Sequence, residues 1–126
     1  MTDNYNTKRT GLPGNDDAGA MSSWYVWSAI GLYPSAGQPF YYIGSPGFTT
    51  STIALEGGKT FTIRANNSSA ANLYVVAARL NGKAIDRAWL THKEIVSGGV
   101  LELDMASAPG QWAHHFTNPP AVISAK

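Results

Sequence analysis

The chain has 126 residues, with 44% hydrophobic and 13% charged side chains. That is enough for one domain with its own core, and about half the usual share of charge. Nine basic against eight acidic residues leave a formal charge of +1 with no basic stripe, which argues against nucleic acid and anionic membrane as partners. Without a cysteine, disulfide, zinc-thiolate and thiol-nucleophile chemistry are excluded.

The opening residues, Met1 to Gly11, are polar, unlike a signal peptide. The longest apolar stretch, Trp24 to Leu32, is too short to span a bilayer and is broken by Ser28 and Gly31. Gly11-Leu12-Pro13-Gly14 is a turn cluster. Asn15-Asp16-Asp17 then leads into an apolar run that predicts a helix over about 19–30. The acidic pair suits a helix N-terminus, Gly31 suits the C-terminal cap, and Pro34 blocks continuation. Met21, Trp24, Tyr25, Val26, Trp27 and Ile30 cover most of the circumference, so the helix is expected to be buried. A small sheet can cover only one side of it. The stretch from Ala18 to Leu55 contains no Asp, Glu, Lys or Arg, as expected of a segment packed on several sides.

The remainder reads as β structure. Short strands are expected at Phe40–Ile43, Thr50–Leu55 and Thr60–Ala65, the last with Phe61, Ile63 and Ala65 on one face. Leu73–Leu80 is apolar on both faces, the pattern of a central strand. Asn81-Gly82 is a hairpin turn into Lys83–Ile85. Thr91-His92-Lys93-Glu94 fits a capping box for a short helix to about Val96. Val100–Met105 alternates, with Leu101, Leu103 and Met105 inward. The tail from Ala106 looks irregular. The expected fold class is α+β: one buried N-terminal helix, then an antiparallel, sandwich-like β region.

Two adjacent carboxylates beside an amide can position a water and take its proton. Asn15, Asp16 and Asp17 are therefore the candidate catalytic residues. An acidic run before a helix is ordinarily a cap, worth about 1 kcal/mol, and local physics alone favours that reading. His92 in its capping turn reads as structural. The His114-His115 pair lacks further metal ligands nearby in sequence. Trp24 and Trp27, at helical spacing, read as core before sugar platform. Asn67-Ser68-Ser69 matches a glycosylation sequon.

The run from Gly11 to Val26, with Ser28-Ala29, Gly31 and Tyr33-Pro34, resembles the signature of glycoside hydrolase family 92. Tyr42-Ile43-Gly44-Ser45-Pro46, Gly58 to Ile63, Leu80-Asn81-Gly82-Lys83 and Thr91-His92 are similar to its later blocks. The blocks fall in order over about residues 11–105. The resemblance implies an inverting, calcium-dependent exo-α-mannosidase, most often acting on α-1,2 links of mannose-containing glycans. In that scheme one carboxylic acid protonates the leaving oxygen, and a carboxylate roughly 6.5–9.5 Å away activates water. Asp17 matches the family's general base. Asp16 falls where the family has Asp or Glu and gets a supporting role. Asn15 stands where an Asp often assists, and an amide can orient water but cannot take a proton.

The family's general acid, its N-terminal β-sandwich and most of its (α/α)6 barrel lie upstream of the matching region. The chain is therefore expected to be a piece of a longer polypeptide, inactive alone, with the missing upstream part as its partner. Residues 1–36 would be the last segment of the barrel with the catalytic motif, and 37–126 the C-terminal β region. The calcium ligands would lie mostly outside the chain. Family members are commonly exported bacterial enzymes, which implies an extracellular or periplasmic parent. Two other readings stand beside this one. The β region could be a non-catalytic carbohydrate-binding module. It could also be a structural buttress, which predicts an exposed apolar patch around Trp24 and Trp27.

Overall fold

The computed structural model describes residues 20–115 and 119. Asn15, Asp16 and Asp17 lie outside the described residues. In chain order the elements are helix α1 (Ala20–Ile30), β1 (Leu32–Pro34), β2 (Phe40–Ile43), β3 (Thr50–Ala54), a 3-10 turn (Glu56–Gly58), β4 (Thr60–Asn66), β5 (Tyr74–Leu80), β6 (Lys83–Ile85), β7 (Trp89–Thr91), α2 (His92–Val96) and β8 (Gly99–Ala106). The α+β class stands as expected.

The strands form two sheets, of order β1-β2-β7 and β3-β4-β8-β5-β6. The alternation in β4 and β8 sets the larger sheet's inner face. Phe61, Ile63 and Ala65 and, from β8, Leu101, Leu103 and Met105 are all buried. Leu32, Ile43 and Leu90 of the smaller sheet and Ile95 of α2 join the same cluster. The core therefore lies between the sheets, each large apolar side chain contributing about 1.5–3 kcal/mol on burial.

Three features depart from the sequence-based expectation. β4 and β8 pair in parallel, with Ile63 opposite Leu101 and Asn66 opposite Asp104. The central strand of the larger sheet is β8, while β5 lies between β8 and β6. The second apolar face of β5 is explained by the tail. A side chain at Gly110 would come within 3.1 Å of Val76, and the Trp112 indole N–H donates to the Ile85 carbonyl at 2.8 Å. Third, β1 and β7 are three-residue strands, too short to announce themselves by alternation.

The Asn81-Gly82 turn forms as expected, with Asn81 at φ 52° and Gly82 at φ 81°. The Asn81 carboxamide oxygen also accepts from the Val100 backbone N–H at 2.8 Å, tying the hairpin to β8. The capping box forms in full. Glu94 N–H donates to Thr91 Oγ1 at 3.2 Å, and Thr91 N–H donates to Glu94 Oε2 at 2.8 Å.

Candidate functional site

The expected catalytic motif runs directly into α1, so the described residues inform the site through what holds that helix. Eleven residues give α1 a length of about 16 Å. Its C-terminal end is seated by two turns that are far apart in sequence. Gly31 adopts φ 91°, and a side chain there would run into Pro46 at 2.7 Å. Gly31 is therefore required by both backbone and space. Gly44 N–H donates to the Gly31 carbonyl and Gly47 N–H to the Ala29 carbonyl, each at 2.8 Å. The Gly44-Ser45-Pro46-Gly47 turn thus satisfies carbonyls that a helix end leaves open.

An aromatic ladder holds the middle of the helix. Trp27 stacks on Tyr41 of β2, with ring centroids 5.2 Å apart and planes at 30°. Tyr41 in turn stacks on His92 at 5.9 Å, and its hydroxyl shares a 2.9 Å hydrogen bond with His92 Nδ1. Burial raises the Tyr41 phenol above its usual range, so the hydroxyl stays protonated at neutral pH. His92 is fixed a second time, because its backbone N–H donates to the Pro39 carbonyl at 2.7 Å. The structural role read for His92 fits this geometry. So does a core role for Trp27, which packs against the buried cluster.

The Trp24 and Val26 side of α1 is only partly covered, with the Trp24 ring meeting Tyr33 edge to face at 6.3 Å. Trp24 is 43% exposed and Val26 56% exposed, although neither has a charged neighbour on the helix. The burial expected for α1 thus holds for its Ser28–Ala29 side, as a small sheet allows. The patch expected around Trp24 and Trp27 is centred on Trp24 and Val26, because Trp27 is taken up by Tyr41.

Two polar clusters escaped the sequence reading. In the first, Arg87 donates to both Glu94 carboxylate oxygens at 2.5 and 3.0 Å and to the Trp89 carbonyl at 2.8 Å. Its guanidinium lies 4.6 Å from the Trp89 ring centroid. Burial pushes the Glu94 carboxyl up, but Arg87 and the Thr91 N–H more than offset this and leave it below its usual range. Arg87 and Trp89 are two residues apart, with a bend at Ala88 between them and the guanidinium folded over the ring. That spacing was the available signal. In the second cluster, Asp104 accepts from Arg79 at 2.9 and 3.0 Å and from Asn66 at 2.9 Å. Those bonds hold the Asp104 carboxyl at about 2. Glu102 adds a looser 3.6 Å pairing to Arg79.

The remaining candidates come to less. The rings of His114 and His115 meet edge to face at 5.7 Å, and both residues are exposed. Among the described residues, no three His, Asp or Glu side chains come together as a metal site. No described helix is long and apolar enough to cross a membrane.

Comparison with known proteins gives a consistent result. The Glycosyl hydrolase family 92 catalytic domain matches residues 1–107. A protein of Arthroderma benhamiae described as an uncharacterized secreted glycosidase is 39% identical over 124 residues, which are 96% of this chain and 16% of that protein. A family GH92 inverting mannosidase from Bacteroides thetaiotaomicron superposes with a TM-score of 0.80 at 40% identity, over 92% of this chain and 16% of its own. A family GH92 α-mannosidase from the same organism, solved with mannoimidazole, superposes with a TM-score of 0.79 at 38% identity, over 85% of this chain and 14% of its own. The chain thus spans about one sixth of the length of these relatives. The matching segment includes the Gly31–Pro46 contact and the β4–β8 sheet that organise the fold, and the chain belongs to glycoside hydrolase family 92.

Proposed function

We propose that this chain is the C-terminal part of an inverting exo-α-mannosidase that removes terminal α-linked mannose, with α-1,2 links as the favoured substrate. The observation that carries this reading is the 40% identity to an inverting mannosidase across nearly the whole chain. The α-mannosidase solved with mannoimidazole supports the same substrate class.

In this reading Asp17 takes a proton from water as the oxygen attacks the anomeric carbon from the face opposite the leaving group. A carboxylic acid upstream protonates the departing glycosidic oxygen, and the configuration inverts. Asp16 supports Asp17, and Asn15 orients the water through its carboxamide. The described part of the chain holds the helix that follows. The Gly31–Gly47 turn contacts and the Trp27–Tyr41–His92 ladder fix α1 against the sheets. Calcium is proposed as a cofactor of the whole enzyme on family grounds. Among the described residues no three carboxylate or imidazole groups come together, so no ligand is assigned to it and no step is derived through it.

The partly exposed Trp24–Val26 side of α1 fits contact with the upstream part of the same polypeptide, residues 1–36 forming the end of the barrel and 37–126 the β region. The secreted Arthroderma relative supports a parent that works outside the cytoplasm. The test is mannose release from α-1,2-mannobiose by the full-length parent, with and without chelator. Asp17→Asn is expected to lower turnover by about 10²–10⁴-fold, the usual share of a general base, and the 126-residue chain alone to release no mannose. Wild-type turnover by Asp17→Asn would reduce Asp17 to a helix cap. A parent inert on every α-mannoside would remove the enzyme reading.

A further inference from the structure

A groove of about 540 Å³ opens where the edge of the five-stranded sheet meets the capped end of α2. It is lined by Leu80, Lys83, Ala84, Ile85, Asp86, Arg87, Trp89 and Glu94, and it uses none of the residues assigned to catalysis. Its volume lies within the range of small-molecule sites. One wall is rigid, because Arg87 is clamped by both oxygens of Glu94 and by the Trp89 carbonyl while lying over the Trp89 ring. The other wall is β6, which stands at the edge of the sheet beside β5 among the described strands.

The charges of the groove cancel. Lys83 and Arg87 face Asp86 and Glu94, and the Arg87–Glu94 pair is already satisfied internally. The remaining capacity is mixed. Asp86 spends Oδ1 on the Ala113 backbone N–H at 2.6 Å, and its Oδ2 has no partner among the described residues. Lys83 is exposed, and none of the ion pairs among the described residues involves it. Arg87 Nη2 donates to Glu94 and keeps a second N–H. The groove thus offers donors and an acceptor side by side, with an apolar floor of Leu80, Ala84 and Ile85. A phosphate or carboxylate would meet Asp86 and Glu94, and an amine would meet Lys83 and Arg87. A hydroxyl both donates and accepts, so a neutral polyol matches every part of this lining.

We propose that this groove is a second glycan-binding site, taking a neutral hexose unit of the glycan away from the catalytic motif. That the polyol is part of a glycan, and that mannose is the probe, rests on the function proposed above. The donor set and cancelled charge are properties of the groove itself. Lys83 and Asp86 hold sugar hydroxyls, and the clamped Arg87 supplies a preorganised N–H without the entropy of ordering a free side chain.

The test is a titration of the isotope-labelled 126-residue chain with methyl α-D-mannoside, followed by amide and indole N–H resonances. Millimolar binding is expected, with shifts confined to residues 80–94 and the Trp89 and Trp112 indoles. Lys83→Ala is expected to weaken it about tenfold, the worth of one good hydrogen bond. Asp86→Asn, which keeps an oxygen for the Ala113 N–H, is expected to weaken it by less. Both positions are exposed, so an unchanged spectrum elsewhere verifies the fold. Shifts that spread outside the groove, or that survive Lys83→Ala undiminished, overturn the proposal. So does a groove that responds to inorganic phosphate and not to the mannoside. In the full-length Asp17→Asn enzyme the same titration separates the two ideas. Binding at the groove with no wild-type hydrolysis removes the mannosidase reading and keeps the site, and hydrolysis without groove binding does the reverse.

Discussion

The five-stranded sheet and helix α1 solve the same problem differently. The sheet is locally complete. Its inner face buries Phe61, Ile63, Leu101 and Leu103 at no more than 1% exposure, and its outer face neutralises its own charges through Arg79, Glu102 and Asp104. Helix α1 is apolar almost all round yet fully covered on one side only, leaving Trp24 43% and Val26 56% exposed. A helix of that composition is stable when several sides are packed. The sheet therefore carries the stability of this segment, while α1, which follows the candidate motif in sequence, borrows its position from the sheet through a few contacts at Trp27, Gly31 and Pro46.

Phe61→Ala tests the sheet half of that statement and has the largest expected effect. Phe61 is fully buried in the strand pairing with both β3 and β8. Removing its ring should cost about 3–5 kcal/mol, enough to unfold a marginal domain, and urea denaturation followed by circular dichroism reads it. Trp27→Ala tests the helix half. It removes the stack on Tyr41 and should cost about 2 kcal/mol, less than a fully buried tryptophan would. Its distinguishing sign is local. Amide exchange should speed up in α1 while β8 stays protected. Equal loss of protection in both would mean that helix and sheet form one cooperative unit, and the comparison would fail.

The sheet's local features were readable because each is a short-range rule. Alternation named the inward faces of β4 and β8, Asn81-Gly82 named the hairpin, and Thr91 with Glu94 named the cap. The partners of those elements were not readable. The parallel pairing of β4 with β8 joins strands separated by the whole β5-to-α2 stretch, and nothing local encodes it. The placing of β5 went wrong for a physical reason. Two apolar faces suggested a central strand, but the tail at Gly110 comes up against Val76 and supplies cover there. The true central strand tolerates Glu102 and Asp104 because Arg79 on the neighbouring strand neutralises them. The candidate site was read from the motif and the family resemblance, and its residues precede the described region. What the sequence left out of the site's surroundings was the long-range part, Trp27 on Tyr41 and Gly31 on Pro46.

Arg87→Ala sharpens the comparison at the junction between the sheets. It leaves Glu94 half-buried, with the Thr91 donors but without its cation. A cost of about 1–2 kcal/mol is expected for a charged group stripped of its main partner and still reached by water. The Glu94 carboxyl should titrate at higher pH than in the wild type, because burial continues to push it up while the largest opposing influence is gone. Carboxyl chemical shifts followed through the titration report this directly. An unmoved Glu94 would show that the Thr91 cap alone holds the carboxylate.

The smallest effect tests whether the outer face of the sheet adds stability or only avoids a penalty. Asp104 titrates at about 2 in the folded chain against an ordinary 3.8, chiefly through its hydrogen bonds to Arg79 and then Asn66. A depressed carboxyl stabilises the fold above the unfolded-state value and loses that contribution as pH falls through the folded-state value. The contribution should be whole above about pH 5 and lost progressively between about pH 4 and pH 2. With the side chain a third exposed, solvent screening reduces it to about 1 kcal/mol. Asp104→Asn keeps an oxygen for hydrogen bonding and removes the charge. Its melting temperature should lie below the wild type's at pH 7, with the gap closing by pH 2. A gap constant across that range would assign the effect to hydrogen-bond geometry rather than charge. No gap at any pH would mean that the Arg79–Asp104 pair only cancels its own desolvation, and that the inner face alone holds β8 at the centre of the sheet.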